Sequence, residues 1–393
     1  MIKRLAINHY RSISNVDLQL TAVNVFAGPN GVGKSNILDA ICFVRDATVN
    51  GLDQAITDRH GIQTIRQWSP TRPYDISIEI EIVENGSKGK FSLSLASRGD
   101  EFQVKREEGY WLHEYSTRIR DKRKKEGYRV EKEVEDFHYI RLEDGRVEVK
   151  NLREDDLISM QVEDQDDLFL NSRHAFVFSG LRYGLWEFEK YSIFPNTLRQ
   201  PEKQSTDIYL QSHGENLASV LRRMRRKKRS EAISEIIESL NRVLPNLRNI
   251  TVQSVAGLLT PQFLMQDSDN VKPHFFHVNQ MSDGTLRILG LLVALYQDPR
   301  PEVIALEEPE LTVHPGVLQI LAESIREICE TNQILVTTHS PSLIDRFDPS
   351  EVIAVEWIDG ATVARPLNKS QISAVKEQLL GLGELMTVEG LHG

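Results

Sequence analysis

The sequence has few cysteines and no long apolar run. Of its 393 residues only Cys42 and Cys329 are cysteines, which excludes a disulfide framework and a cysteine-rich metal centre. Both lie in apolar stretches with helical spacing, where a buried thiol is the ordinary role. No stretch reaches the roughly 18 consecutive apolar residues of a membrane span, and the first residues do not resemble a signal peptide. We therefore expect a cytoplasmic protein with no membrane partner.

The chain also lacks an excess of positive charge. It has 47 Lys and Arg residues against 57 Asp and Glu, a formal net charge of −10. This balance argues against a protein that coats nucleic acid over its whole surface, although it leaves room for a local basic groove. The length exceeds one typical domain. Two domains, or one large α/β domain with an inserted lobe, both fit.

The clearest motif lies at residues 28–35, which read GPNGVGKS and match the phosphate-loop pattern G-x-x-x-x-G-K-[S/T]. A β-rich apolar run precedes it at residues 21–27, and an apolar helical pattern follows from residue 36. Such a loop wraps its N–H groups around phosphates at a helix N-terminus. The lysine reaches the β- and γ-phosphates and the serine hydroxyl holds Mg²⁺. The expected ligands are ATP and Mg²⁺, and the candidate nucleotide-binding residues are Asn30, Gly31, Gly33, Lys34, Ser35 and Asn36.

Two further candidates follow buried-type strands in the last third of the chain. Residues 303–306 are apolar and lead into Glu307 and Glu308. Paired acids at a strand end suit phosphoryl transfer, so we assign Glu307 to the metal and Glu308 to the attacking water. A solvated strand end is the alternative. His339 follows the apolar residues 333–337 and is predicted to sense the γ-phosphate, the alternative being a purely structural histidine.

A third candidate is the start of an apolar helix at residues 284–297. Ser282, Asp283 and Gly284 offer a hydroxyl and free N–H groups at this helix N-terminus. The same residues would serve equally well as a simple helix cap. The residues alone leave both roles open.

The coarse pattern places antiparallel strands first and parallel crossover units last. Residues 2–10 and 15–20 alternate as strands do, and residues 75–83 and 89–97 flank an Asn-Gly turn signal, which predicts a hairpin. Strands and helices alternate after residue 284, as around a buried parallel sheet. We expect an amino-terminal part of the nucleotide domain at residues 1–106, an inserted lobe at 107–273 and a carboxy-terminal part at 274–393.

Together, the phosphate loop, the Ser-Asp-Gly helix start, the Glu-Glu-Pro-Glu stretch and the Thr-His-Ser-Pro stretch resemble the ATP-binding-cassette ATPases of the RecF, SMC and Rad50 type. The nearer resemblance is to the free-standing AAA_21 ATPases, relatives of the ATPase half of OLD-family nucleases. The resemblance implies an α/β P-loop head: a mixed sheet with a parallel core, an antiparallel amino-terminal sheet and an inserted helical lobe. It also implies a homodimer that sandwiches two ATP molecules, with Ser282, Asp283 and Gly284 closing on the partner's nucleotide.

The resemblance gives roles to several of these residues. Glu307 corresponds to the Walker B acid, Glu308 to the catalytic glutamate, His339 to the switch histidine and residues 310–314 to the D-loop. Three positions depart from the family's pattern. Glu307 replaces the usual aspartate, and Asp283 stands where many members have glycine. The metal-contacting glutamine is not obvious: Gln161 is our choice, with Gln63 and Gln67 as competitors and a plain surface glutamine as the alternative.

Two basic runs, residues 118–125 (RIRDKRKK) and 222–229 (RRMRRKKR), stand out from the acidic background. They would contact DNA, or else form solvated helix faces. No long heptad array and no fused nuclease are expected. The favoured function is an Mg-ATP-dependent ATPase that dimerises and acts on DNA in repair or anti-phage defence. The alternative is a nucleotide-gated interaction protein that controls a separate nuclease or toxin, with the basic runs meeting an acidic partner.

Overall fold

A computed structural model describes residues 1–70, 72–84, 86–121, 127–151, 154, 157–162, 167–226, 231–266, 272–388 and 390–393, with side chains excepted at 98, 116–121 and 127–131. Its strands are β1 (Ile2–Tyr10), β2 (Ile13–Gln19), β3 (Val23–Ala27), β4 (Ile76–Glu84), β5 (Ser87–Arg98), β6 (Glu101–Asp121), β7 (Gly127–Leu142), β8 (Arg146–Asn151), β9 (Leu157–Gln161), β10 (Phe188–Tyr191), β11 (Glu202–Lys203), β12 (Leu247–Val255), β13 (Leu258–Met265), β14 (His274–His277), β15 (Val303–Glu307), β16 (Gln333–Thr338), β17 (Val352–Ile358) and β18 (Ala361–Pro366).

The α-helices of the described residues are α1 (Lys34–Asn50), α2 (Leu52–Thr57), α3 (Ile62–Ile65), α4 (Ser179–Trp186), α5 (Pro195–Leu198), α6 (Leu217–Arg226), α7 (Glu231–Asn241), α8 (Asp283–Tyr296), α9 (Pro315–Ile328), α10 (Pro341–Ile344), α11 (Lys369–Lys376) and α12 (Leu382–Val388). Short 3₁₀ turns lie at Phe169–Asn171, Arg173–Phe178, Val278–Gln280 and Pro349–Glu351. No helix of these residues is both long and apolar enough to cross a membrane.

The chain divides into two compact units, each built from several segments. The first unit comprises Met1–Leu20, Asn36–Phe188 and Trp357–Arg365. The second unit comprises Thr21–Ser35, Glu189–Glu356 and Pro366–Gly393. The boundaries expected at residues 106/107 and 273/274 remain a prediction.

The second unit carries the parallel sheet predicted for the nucleotide domain. Its strand order is β10, β15, β16, β3, β17. β15 pairs with β16, β16 with β3, and β3 with β17, all in parallel. All residues of β3 and β16 are buried, as expected for central strands covered on both faces. A smaller antiparallel sheet in this unit has the order β11, β13, β12, with β14 also pairing with β13.

Helix α8 lies at the centre of the second unit's core. Each residue between 285 and 296 is buried, which is the pattern of a helix surrounded by other elements rather than lying on a surface. The one charged residue among them is Arg287, which is only 2% exposed. The sequence predicted this helix as residues 284–297, and the structure confirms it with a start one residue earlier.

The first unit is dominated by antiparallel strands in the order β18, β2, β1, β4, β5, β6, β7, β8, β9, in which only β18 and β2 pair in parallel. The predicted hairpin at residues 75–97 is confirmed as β4 and β5, in register from Ile76–Leu95 to Glu84–Ser87. The parallel and antiparallel strands together confirm the expected mixed α/β fold.

Helix α4 packs directly against the first unit's sheet because glycines occupy the contact. A Cβ added to Gly180 would lie 2.3 Å from the Trp111 ring, and one added to Gly184 would lie 2.4 Å from Ile82 Cδ1. On the sheet side, a Cβ at Gly89 would meet Leu181, Ile82 and Trp111 within 2.9 Å. Hydrogen atoms in place of methyl groups therefore set the distance between helix and sheet.

This close approach predicts the effect of one methyl group. We expect Gly180→Ala to lower the free energy of unfolding by about 1–3 kcal/mol, because the added methyl group would overlap the buried Trp111 ring and force helix or ring to shift. Urea denaturation followed by circular dichroism measures the change. Gly316→Ala in α9 is the matched control, since its added Cβ would meet only the His314 side chain at 3.3 Å. Equal stabilities of the two variants would contradict this packing.

Candidate functional site

The phosphate-loop residues form the connection between β3 and α1 in the second unit. Gly31 and Gly33 have φ angles of 83° and 97°, which glycine adopts without strain. Gly28 is required for another reason, since a Cβ there would lie 2.1 Å from the Val355 carbonyl oxygen. The glycines of the motif thus allow the backbone to curl tightly while it stays pressed against the neighbouring strand.

Lys34 points back into this loop. Its ammonium group donates to the carbonyl oxygens of Gly28 and Pro29, both at 2.9 Å, and lies 3.3 Å from Glu308 Oε1. The side chain is 5% exposed. The predicted phosphate-gripping lysine and the predicted catalytic glutamate, 274 positions apart in the chain, are therefore direct neighbours.

Glu308 is held in an uncommon backbone conformation. Its φ is 44°, in the left-handed region that glutamate rarely adopts. Its N–H donates to Thr337 O at 3.0 Å, and its carbonyl accepts from Arg287 Nη2 at 2.8 Å. Arg287 also donates to Ile193 O at 2.5 Å. Arg287 was not among the residues predicted for the site; the available signal was an arginine inside the apolar run GTLRILGLLVALYQ, because a buried cation needs acceptors.

His339 meets two carboxylates rather than one. Its Nδ1 contacts Glu308 Oε2 and lies 3.3 Å from Glu310 Oε1. Glu310 Oε1 also accepts from the Thr338 hydroxyl at 2.6 Å and from the His339 N–H at 3.0 Å. Because the Glu308 carboxylate accepts, Nδ1 is the donor in this contact. Glu310 was placed in the expected D-loop; the structure gives it a second role as the anchor of the β16 end.

The pKa values of Glu308 and Glu310 are shifted in opposite directions. Burial, followed by the neighbouring charge of Glu308, raises the pKa of Glu310. Burial alone would raise the pKa of Glu308 as well, but hydrogen bonds from Glu310 and His339 and the charge of Lys34 outweigh it and lower that pKa. Glu310 Oε2 is buried with no donor among the described residues. Of the two carboxyl groups, Glu308 is therefore the one that loses its proton at the lower pH.

Two oxygen donors remain for a metal ion. Ser35 is exposed in the first turn of α1, and Glu307 ends β15, where its Oε2 lies 3.3 Å from Lys190 Nζ. A hydroxyl and a carboxylate suit Mg²⁺. Glu308, Glu310 and His339 also place ligand atoms within 4.8 Å of one another. However, the Lys34 ammonium and the Thr338 hydroxyl already contact that cluster, so it is a hydrogen-bonded unit rather than a metal cage.

The start of α8 shows the capping arrangement. The Ser282 hydroxyl accepts from the Thr285 N–H at 3.2 Å, and Ser282 and Asp283 are exposed. Asp283 contacts Arg199 Nη2 at 2.6 Å, and the same nitrogen donates to Met281 O at 2.9 Å. Arg199 therefore offsets the negative charge that distinguishes Asp283 from the glycine of many relatives. The predicted roles of Ser282, Asp283 and Gly284 toward a partner's nucleotide stay predictions.

The remaining candidate nucleotide and metal residues are not part of this cluster. Asn30 is exposed at the tip of the loop. In the first unit, the Asn36 amide donates to the Ser12 hydroxyl at 2.6 Å. Gln161 is exposed on β9 and donates to Asp144 O at 2.7 Å. Of its competitors, Gln63 bonds to Asp100 and Gln67 to His9. The identity of the metal-contacting glutamine stays a prediction.

The second basic run is only partly available for a ligand. Arg223 donates to Asp207 O at 2.6 Å, and Arg225 to Asn249 Oδ1 at 2.7 Å, so these two hold their own unit together. Arg222 makes only a 3.5 Å contact with Gln204, and Arg226 is exposed. Residues 227–229 lie outside the described part of the chain, as do the side chains of the first run, residues 118–125.

A family model matches residues 23–345 of the chain, and its description reads "AAA domain, putative AbiEii toxin, Type IV TA system" (AAA_21). The match spans most of the sequence, including the phosphate loop, Glu308 and His339. The chain belongs to this family of P-loop ATPases. Among curated protein sequences none matches the chain.

Solved structures show the same fold at low identity. One is an Smc head bound to the C-terminal winged-helix domain of ScpA, at 15% identity and a TM-score of 0.54, covering 95% of this chain and 99% of that one. Another is an Smc head with an extended coiled coil, bound to a ScpA domain derived from Pyrococcus furiosus, at 13% identity and a TM-score of 0.51, covering 96% and 99%. The fold is that of an ABC-ATPase head.

The Glu310 geometry predicts a dependence of stability on pH. A raised pKa means that the folded state binds its proton more tightly than the unfolded state, so this group lowers stability as pH rises from about 4.3 through its folded pKa. Glu310→Gln keeps an acceptor for Thr338 and His339 and removes the titration. We expect the urea midpoint of this variant, relative to that of wild type, to rise as the pH is raised from 5 to 8.

Glu310→Ala serves as the contrast. It removes the acceptor that the Thr338 hydroxyl and the His339 N–H share, and we expect a loss of about 1–3 kcal/mol at every pH. Two outcomes would contradict the raised pKa of Glu310: a loss of stability in Glu310→Gln as large as that in Glu310→Ala, or the same pH dependence of stability in Glu310→Gln as in wild type.

Proposed function

We propose that this protein is an Mg-ATP-dependent ATPase that dimerises when it binds ATP and separates after hydrolysis. One observation supports this most strongly: Glu308 lies between Lys34 of the phosphate loop and His339, with its charge maintained by both. A carboxylate kept ionised beside the phosphate-binding lysine is what a group that orients an attacking water needs.

Each residue then has a task. Lys34 exchanges its contact with Glu308 for the phosphate oxygens of ATP, which frees Glu308 to accept a hydrogen bond from the water. The His339 ring, anchored through Nδ1, presents its other nitrogen. When bound by Ser35 and Glu307, Mg²⁺ would neutralise charge on the phosphates.

Dimerisation completes the site on this proposal. The exposed Ser282 and Asp283 begin a helix whose first-turn N–H groups and partial positive charge suit a phosphate of a second copy's ATP. Each copy would supply a loop to one nucleotide and a helix start to the other. ATP then links the two copies by mass action.

Replacing the water-orienting carboxylate tests the chemistry. We expect Glu308→Gln to lower the rate of ATP hydrolysis by about 10²-fold or more, measured as phosphate release, while ATP binding persists. The same variant should accumulate as an ATP-dependent dimer in analytical ultracentrifugation. Lys34→Ala, which weakens ATP binding itself, is the control that should stay monomeric. Hydrolysis by Glu308→Gln at the wild-type rate would refute the assigned role.

We also propose that the ATPase acts on DNA, in repair or in defence against phage, and that it contacts the DNA through the basic runs. Because Arg223 and Arg225 are bound within their own unit, only Arg222 and Arg226 among the described arginines of their run can meet a phosphate backbone. The same observation favours the alternative, a nucleotide-gated interaction protein whose ATP state controls a separate nuclease or toxin.

Salt dependence separates the two possibilities. If DNA is bound, the logarithm of affinity falls with the logarithm of salt concentration, and Arg222→Gln with Arg226→Gln should reduce that slope by about two contacts. Fluorescence anisotropy with labelled duplex measures it. Arg300→Gln, which removes one positive charge outside both runs, is the control and should leave the slope unchanged. Absent DNA binding, or a slope that these substitutions leave unchanged, would favour the protein-effector alternative.

A further inference from the structure

A cavity lined by described residues lies in the first unit, far along the sequence from the phosphate loop. Its volume is about 610 Å³. It is bounded by the turn from β4 to β5, by the middle of β6 and β7, and by residues between 176 and 183, a segment that includes the start of α4. We call it the aromatic–acidic pocket. None of the residues discussed above for ATP lines it.

Strand register explains why rings and acids meet there. Trp111 pairs with Phe137 and His113 with Glu135 across β6 and β7, so these four side chains share one face of the sheet. Trp111 and His113 stack at 6.4 Å between ring centroids. Glycine contacts hold α4 against the Trp111 ring, and the pocket opens where this packing ends.

The lining of the pocket combines aromatic rings with negatively charged residues. Its aromatic rings are Trp111, Phe137, Phe176 and Tyr183, its acidic residues are Glu84, Glu114 and Glu135, of which Glu135 shares the face of Trp111, and neither lysine nor arginine lines it. A cation over an aromatic face is attracted by the ring quadrupole, and more strongly where water is excluded. Carboxylates beside the rings add charge-assisted hydrogen bonds. The ligand this lining fits is therefore a cation with flat apolar faces.

The rim indicates a macromolecular source for that cation. Phe176 is 74% exposed and Tyr183 49% exposed, which leaves two large rings uncovered beside the acids. Exposed aromatic residues around a pocket are typical of protein interaction sites, where one inserted side chain acts as the anchor. The net charge of −10 also favours approach of a basic surface.

We propose that the aromatic–acidic pocket binds an arginine side chain presented by a partner protein. The planar guanidinium stacks on a ring while its N–H groups donate to a carboxylate, a combination that the lysine ammonium cannot make. The site depends on neither ATP hydrolysis nor DNA binding, so its test stands apart from theirs.

The test uses the full chain and two capped peptides, acetyl-Gly-Gly-Arg-Gly-Gly-amide and its citrulline counterpart. Citrulline keeps the shape of arginine but has no charge. We expect saturable binding of the arginine peptide at low salt in a saturation-transfer NMR titration. The citrulline peptide should bind at least about fivefold more weakly.

Two substitutions locate the binding. Glu135→Gln and Phe176→Ala should each weaken the arginine peptide by about threefold or more, and Phe176 is exposed enough for its truncation to leave the fold intact. Glu101→Gln, on an exposed glutamate outside the pocket, is the charge-matched control and should bind like wild type. Equal affinity for the two peptides, no saturable binding, or wild-type affinity in both pocket variants would overturn the proposal.

Discussion

The parallel register of β15, β16 and β3 is the constraint on which the candidate site depends. Glu307 lies opposite Thr337, Thr337 opposite Phe26, and Thr338 opposite Ala27. Three loops therefore leave the same edge of the sheet within one residue of each other. A slip of one residue would turn each side chain to the other face and separate Lys34, Glu308 and His339.

Contacts from β16 and α8 hold the strained backbone of Glu308 in place. Immediately after β15 the chain adopts a left-handed φ, a conformation costing about 1–3 kcal/mol for such a residue. It persists because β16 accepts its N–H and Arg287 of the central helix donates to its carbonyl. Since the exposed Ser282 caps α8, one helix joins the surface expected to meet a second copy to the backbone of Glu308, the glutamate proposed to orient the water. A shift of α8 on dimerisation would therefore be transmitted to Glu308 without any intermediate loop.

The sequence predicted the features that are carried by consecutive residues. It did not predict those that depend on partners distant in the chain. The phosphate loop and the strand-end acids are readable because consecutive residues carry the information. Glu310 and Arg287 escaped because their partners, Thr338 and Ile193, are distant in the sequence. The long β6 and β7 lie mostly within the inserted lobe expected at residues 107–273, and they were not predicted as strands because both contain charged residues along most of their length, such as Glu107. That glutamate is fully buried, yet the Tyr139 hydroxyl at 2.8 Å and the backbone N–H groups of Phe169 and Leu170 satisfy it.

The start of α8 shows how an apparent defect of a motif can be corrected by a neighbour. An aspartate in the first helical turn would repel an incoming phosphate, and Asp283 is 59% exposed. Arg199 lies 2.6 Å from its carboxylate and is fixed there by its second contact, with the Met281 carbonyl. The pair is close to neutral, so the partial positive charge of the helix N-terminus is not cancelled. Arg199, which is anchored by Asn196 and by the Met281 carbonyl, is thus part of the same surface. Removing it would change the electrostatics of that surface by a full charge while leaving the motif residues themselves intact.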